Sequence, residues 1–75
     1  MKELASYISI DPKVRFGKPC IVGTRITVSD ILQWLASGMD FSEILQDYPS
    51  LKEDHIRAAL TFAADRELMI KIIAA

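Results

Sequence analysis

The chain has 75 residues, 51% of them hydrophobic, and a formal net charge of −1. A chain of this length is predicted to form one domain, residues 1–75, near the lower size at which a single core is stable alone. The single cysteine, Cys20, excludes a disulfide within the chain, and with His55 as the only histidine a structural zinc site is not expected. So high a hydrophobic fraction in so small a domain favours a homodimer.

The charges are unevenly distributed along the chain. Residues 12–29, which we call the basic bend, contain four positive and no acidic residues, whereas residues 40–54 contain five acids and one lysine. The small net charge excludes a wholly basic nucleic-acid coat. The bend could still contact phosphate groups, which carry most non-specific affinity for nucleic acid. The alternative is a solvated loop in which Arg25 pairs with a carboxylate, that of Asp30 or one in the acidic segment.

Residues 1–28 are predicted to form an extended arm followed by a glycine-rich turn region. Residues 4–10 alternate between apolar and small polar side chains, which predicts a short strand that ends at the turn signal Asp11-Pro12. Val14-Arg15-Phe16 is expected to form a further extended step. Gly23-Thr24-Arg25 lies between two runs of β-branched residues and forms either a tight hairpin or a simple bend.

Two short helices are predicted next. The first begins near Ser29, with the hydroxyl of Thr27 or Ser29 as its cap, and ends at Gly38 in a left-handed conformation. Asp40, together with a glutamate three positions later, is predicted to cap the second helix. Tyr48-Pro49 ends it, because the residue before a proline avoids the helical region.

A third helix follows residues 50–52 and either continues nearly to Ala75 or breaks near Asp65-Arg66. Its end is apolar on almost every side, so it is expected to be buried against a second copy or a partner. Trp34 lies off the apolar stripe of its own helix and either faces a partner or packs on a second core face toward the arm. The predicted partner or dimer interface comprises Trp34, Leu68, Met69, Ile72 and Ile73.

The order of these elements predicts a mainly α fold, in which a short extended or β arm precedes a three-helix, homeodomain-like (helix-turn-helix) bundle over residues 29–75. In such a bundle, residues 52–60 of the third helix would enter the major groove, although Glu53 and Asp54 there oppose phosphate groups. The other possibility is that the helices are a scaffold and the bend contacts DNA. The candidate DNA-binding residues are Lys13, Arg15, Lys18, Arg25, His55 and Arg57.

No enzyme active site is predicted. A Cys20–His55 pair is conceivable in space, but Cys20 is expected to pack as a small hydrophobic residue. We therefore expect no catalytic residues, no cofactor, no metal and no small-molecule substrate. No signal peptide or membrane span is expected either, which favours a cytoplasmic protein.

Residues 17–28, Gly-Lys-Pro-Cys-Ile-Val-Gly-Thr-Arg-Ile-Thr-Val, closely resemble the signature of the domain of unknown function 433 family of small prokaryotic proteins. The resemblance covers about residues 8–64 and includes Ile10-Asp11-Pro12, Tyr48-Pro49 and Ile56-Arg57-Ala58-Ala59-Leu60. It implies a homeodomain-like or winged-helix-like dimer and a role as an antitoxin, in a VapB-type arrangement with a PIN-like nuclease toxin. An antitoxin of that kind binds its toxin and its own operator DNA. The alternative is an interaction module, a dimeric scaffold or toxin neutraliser, that does not bind DNA.

Overall fold

The protein is mainly helical, as predicted. The structure, a computed structural model, describes residues 6–74, excluding the side chains of residues 67–74. The elements in chain order are β1 (Ile8–Ser9), a 3₁₀ turn (Arg15–Gly17), β2 (Cys20–Ile21), α1 (Val28–Ala36), α2 (Phe41–Asp47) and α3 (Glu53–Ala74). None of the helices in the described part of the chain is long and apolar enough to cross a membrane.

The two strands pair antiparallel, with Ile8 opposite Ile21 and Ser9 opposite Cys20. Of the predicted strand over residues 4–10, Ile8 and Ser9 form β1, residues 6–7 and 10 do not belong to it, and residues 4–5 lie outside the described residues. Ile8 and Ile21 are both buried against the helices. The pairing fixes the arm against the rest of the domain.

Of the two predictions for residues 23–25, the tight hairpin is the one observed. The Ile21 N–H donates to the Ile26 carbonyl at 2.8 Å, which closes the loop between them. Gly23 has a φ of 78°, a value that glycine adopts without steric strain. The Thr24 hydroxyl donates to the Ile21 carbonyl and accepts from the Ile26 N–H, at 2.9 and 3.0 Å. Gly23 and Thr24 therefore build the turn itself.

The prediction of an extended step at residues 14–16 holds for Val14 and is wrong for Arg15 and Phe16. Arg15 and Phe16 have φ values of 49° and 60°, and Gly17 has a φ of 80°. The Gly17 N–H donates to the Val14 carbonyl at 3.1 Å and closes a tight turn. A left-handed conformation costs about 1–2 kcal/mol for each L-residue. Because the Phe16 side chain is 96% exposed, its burial does not offset this cost in free energy. Contacts of neighbouring residues must therefore hold the turn.

The Arg15 side chain ties this turn to the start of α1. Its Nη1 donates to the Arg25 carbonyl at 2.9 Å and to Asp30 Oδ2 at 3.3 Å. The same Asp30 oxygen accepts the Thr27 N–H at 3.0 Å, while the Asp30 N–H donates to the Thr27 hydroxyl at 2.9 Å. These last two bonds form a capping box at the start of α1. Asp30 thus pairs with Arg15, not with Arg25 as the solvated-loop alternative proposed.

The connection between α1 and α2 has the predicted capping residues. Gly38 has a φ of 104°, and the N–H of Met39 donates to the Trp34 carbonyl at 3.1 Å, as in a Schellman motif. Asp40 and Glu43 then form a second capping box, with N–H to carboxylate distances of 2.8 and 3.1 Å. The two helix ends are therefore satisfied by local residues.

One hydrophobic core joins all these elements. Ile21 of β2, Ile31 of α1, Ile44 of α2 and Ile56 of α3 are each fully buried. α3 packs against both α1 and α2. It runs without interruption from Glu53 to Ala74, so the continuous helix, and not the one broken near residues 65–66, is confirmed.

The Asp30 carboxylate is stabilised in its charged form. Partial burial of the group opposes ionisation, but hydrogen bonds from the Thr27 backbone and side chain and the positive charge of Arg15 outweigh it. The pKa of the Asp30 carboxyl is therefore below its usual value of 3.8. Since the folded-state pKa is depressed, the ionised carboxylate stabilises the fold fully above that value. This contribution to stability is lost as the pH falls from 3.8 through the lower pKa of the folded state.

We expect Asp30→Ala to lower the free energy of unfolding at pH 7 by about 1–2 kcal/mol, the usual effect of removing a helix cap. Ser29→Ala, at the exposed neighbouring position, should change it by less than about 0.5 kcal/mol. Urea unfolding at pH 7 and at about pH 2.5 measures both, and the effect of Asp30→Ala should shrink at the lower pH. An effect of equal size at the two pH values would contradict this role of the carboxylate.

Candidate nucleic-acid interface

His55, a predicted DNA contact, takes part in the start of α3. Its Nδ1 accepts the Lys52 N–H at 2.8 Å. This bond satisfies a backbone donor just before the first turn of the helix, where an isolated helix has unpaired N–H groups. The His55 ring also meets the Tyr7 ring edge-on, with the centroids 5.7 Å apart. The imidazole therefore has a structural role, joining the arm to α3.

Arg57, the other predicted contact on this helix, is paired within the helix. Its Nε and Nη2 donate to Glu53 Oε1 at 3.1 and 2.6 Å, and its guanidinium lies 5.6 Å from the centroid of the Phe41 ring. Glu53 and Asp54 occupy the first turn, where acids favour the helix dipole. An exposed ion pair is weak, so DNA could separate Arg57 from Glu53. The Glu53 carboxylate would then face the phosphates and repel them. The tip of α3 is therefore poorly suited to a DNA backbone.

The four positive residues of the basic bend are not equivalent. Arg15 is held by Asp30, whereas Lys13, Lys18 and Arg25 are exposed and form no ion pair among the residues that the structure describes. The backbone next to both lysines is folded together in the turn. A β-carbon on Gly17 would lie 3.7 Å from Pro12 Cα, so the chain just before Lys18 passes close to the chain just before Lys13. The Arg15 side chain also donates to the Arg25 carbonyl, which holds the Arg25 backbone near this turn.

Phe16, which was not predicted as a site residue, lies in the same turn, between Lys13 and Lys18 in the chain. Its neighbours in the chain are Arg15 and Gly17, and its ring is almost fully exposed. A single exposed apolar side chain is ordinary at a protein surface, but Phe16 also has a left-handed backbone, which is an outlier for a bulky residue. A sequence signal was available, because Phe16 is the single aromatic residue in the basic bend and belongs to none of the apolar helix stripes.

A groove of about 400 Å³ lies between the bend and α3. It has apolar walls and positive side chains, and it is lined by Lys18, Pro19, Thr27, Val28, Ser29, Leu32, Phe62, Ala63 and Arg66. The Arg66 guanidinium lies 5.6 Å from the centroid of the Phe62 ring. Arg66 and Phe62 were not predicted as site residues, since only the packing of α3 against α1 brings them near Lys18.

The predicted partner-facing residues fall into two groups. Trp34 stacks on Tyr48, with ring centroids 4.1 Å apart and an angle of 11° between the planes, and it packs against the core. Trp34 thus packs on the core, as the second alternative expected, but its ring partner is Tyr48 at the end of α2 and not a residue of the arm. The side chains of Leu68, Met69, Ile72 and Ile73 lie outside those that the structure describes, so their role at an interface stays a prediction.

In the described part of the chain, neither Cys20 nor any cluster of histidine and acidic residues forms a further candidate site. Cys20 is buried, and its Sγ donates to the Lys18 carbonyl at 3.3 Å, in agreement with its predicted packing as a small hydrophobic residue. No cluster of three or more histidine, cysteine, aspartate or glutamate residues that could hold a metal ion occurs within the described part of the chain.

Comparison with known proteins identifies a family. The family model described as Protein of unknown function (DUF433) matches residues 8–63. The chain is also similar to the crystal structure, at 2.00 Å resolution, of a DUF433 member protein from Anabaena variabilis ATCC 29413. The TM-score is 0.77 and the identity 30%, over 96% of this chain and 72% of that chain. No curated protein matches the chain. By the family match and this structural similarity, the chain belongs to the DUF433 family.

Proposed function

We propose that this protein is an antitoxin-like, homodimeric regulator that binds operator DNA through the basic bend. The observation that supports the DNA contact most strongly is that three exposed positive residues of the basic bend, Lys13, Lys18 and Arg25, form no ion pair with any residue that the structure describes. Positive side chains that are free to bind phosphate provide most non-specific affinity for DNA. The toxin partner, a PIN-like nuclease, follows from the family resemblance alone.

The geometry favours the bend over α3 as the DNA-contacting surface. In a helix-turn-helix protein the start of the second helix of the motif reads base edges. Here that start carries Glu53 and Asp54, and Arg57 is already neutralised by Glu53. Phosphate contact by the bend requires no ion pair to be broken, because the one cation that is paired, Arg15, is not needed. The three helices then serve as the scaffold that presents the bend.

The salt dependence of binding tests this proposal. Three phosphate contacts per chain predict that the logarithm of the binding constant falls with the logarithm of salt concentration with a slope of about −2.7 per chain. Fluorescence anisotropy with a labelled duplex from the region upstream of the protein's own gene measures it. Lys13→Ala, Lys18→Ala and Arg25→Ala should each reduce the slope by about 0.9.

Lys52→Ala is the matched control, because it removes one exposed positive charge at the start of α3 and leaves the bend intact. It should leave the slope unchanged. Absence of binding at low salt would contradict the DNA role. A slope that responds to Lys52→Ala and Arg57→Ala, but not to the bend variants, would assign the contact to α3 instead.

The groove supports a second candidate function, a protein-interaction module that neutralises its partner without DNA. Its volume of about 400 Å³ is in the range of binding pockets, and its walls are largely apolar. Lys18 and Arg66 make it positive, which suits a partner segment that combines carboxylates with an apolar side chain. On this alternative the segment belongs to the toxin.

Charge reversal at the groove tests the alternative. We expect Arg66→Glu to weaken binding of the purified product of the adjacent gene at least tenfold in a calorimetric titration, because like charges across an interface are strongly unfavourable. Lys52→Glu reverses a charge of the same sign away from the groove and should have little effect. Equal affinity of the wild type and Arg66→Glu would exclude the groove as the contact surface.

A further inference from the structure

The feature of the molecule that folding explains least is the aromatic side chain at position 16. The Phe16 backbone is left-handed and its ring makes no contact with the core. Glycine would adopt this backbone conformation without strain, and a polar side chain would be better solvated. Backbone strain of this kind persists where the surrounding structure enforces it, and it concentrates at functional sites. A contact with another molecule accounts for the aromatic ring.

The turn that carries Phe16 is held from both sides. The Val14 N–H donates to the Asp11 carbonyl at 2.9 Å, and the Lys18 N–H donates to the Arg15 carbonyl at 3.2 Å. The Arg15 guanidinium anchors the same turn to α1 through Asp30. The ring therefore stands on a preorganised support, and little ordering is required when it binds.

The surroundings of the ring indicate the chemistry of its ligand. Among the described residues, Lys13, Lys18 and Arg25 form no ion pair. Asp30 pairs with Arg15, and Asp11 accepts the Lys13 N–H, so within the described chain Asp11 is the one acid beside the bend that keeps its charge free of an ion pair. An apolar ring amid free cations suits a ligand that has flat apolar surfaces between negative groups. Stacked base pairs between phosphates have this character.

We propose that Phe16 inserts as a wedge between adjacent base pairs of duplex DNA and kinks the duplex, while the flanking cations bind the phosphates. The proposal rests on the DNA-binding function above. Apolar wedges of this kind unstack one base step and bend the duplex. Proteins that bind single strands present successive aromatic rings, whereas the described part of the bend presents a single ring.

The test compares the full-length wild type with Phe16→Ala and Phe16→Leu on an upstream duplex that carries a donor and an acceptor dye at its ends. Energy transfer reports bending, and anisotropy reports affinity. The wild type should bend the duplex. Phe16→Ala should lose the bend and about tenfold in affinity with the salt slope unchanged. Phe16→Leu, which keeps an apolar wedge, should retain most of the bend.

Two controls make the result specific. Val22→Ala truncates another exposed apolar side chain of the bend and should leave both readouts unchanged. Phe16→Ala and Phe16→Gly should unfold no more easily than the wild type, since the ring is not buried. Bending by Phe16→Ala equal to that of the wild type would overturn the wedge while leaving DNA binding in place. Tighter binding of the wild type to single-stranded DNA than to the duplex would also overturn the wedge. So would a Phe16→Ala variant that bends the duplex as the wild type does but no longer binds a protein partner.

Discussion

The structure depends on one carboxylate, that of Asp30. Together with Thr27 it forms the capping box at the start of α1. It also accepts a hydrogen bond from Arg15, which lies in a turn fifteen residues earlier in the chain. A helix start and a strained turn are thereby fixed by the same group. The Arg15 contact to the Arg25 carbonyl adds the hairpin to this network. Loss of the carboxylate therefore affects both the helix and the surface that we assign to DNA.

Much of the family signature is explained by folding. The Pro19 carbonyl accepts the Val28 N–H at 2.9 Å, which joins the signature to α1. Gly23 and Thr24 build the hairpin, and Cys20, which bridges to Thr27 within it, is buried. The side chains of Lys18 and Arg25 are exposed and form no ion pair among the described residues. Most of the signature residues thus build the bend, and the DNA contact that we propose involves a few exposed side chains on it.

Local signals in the sequence were sufficient for the helices. Gly38, Asp40 and Glu43 were predicted as capping residues and are observed as such, because each acts within a few positions of its own place in the chain. The Arg15–Asp30 pair depends on the folding of the bend against α1, and no periodicity reports such a contact. Nor does any propensity predict a left-handed phenylalanine, since the conformation is imposed by neighbouring residues.

The same distinction applies to the candidate site. The positive charge of the bend was visible in the sequence, but only the fold separates Arg15, which pairs with Asp30, from its neighbours and shows that Arg57 pairs with Glu53 at the start of α3. The most direct test is a backbone amide NMR titration of the ¹⁵N-labelled protein with the upstream duplex at low salt. Our account predicts that the shifted resonances belong to residues 13–18 and 25. Shifts confined to residues 53–57 would contradict it.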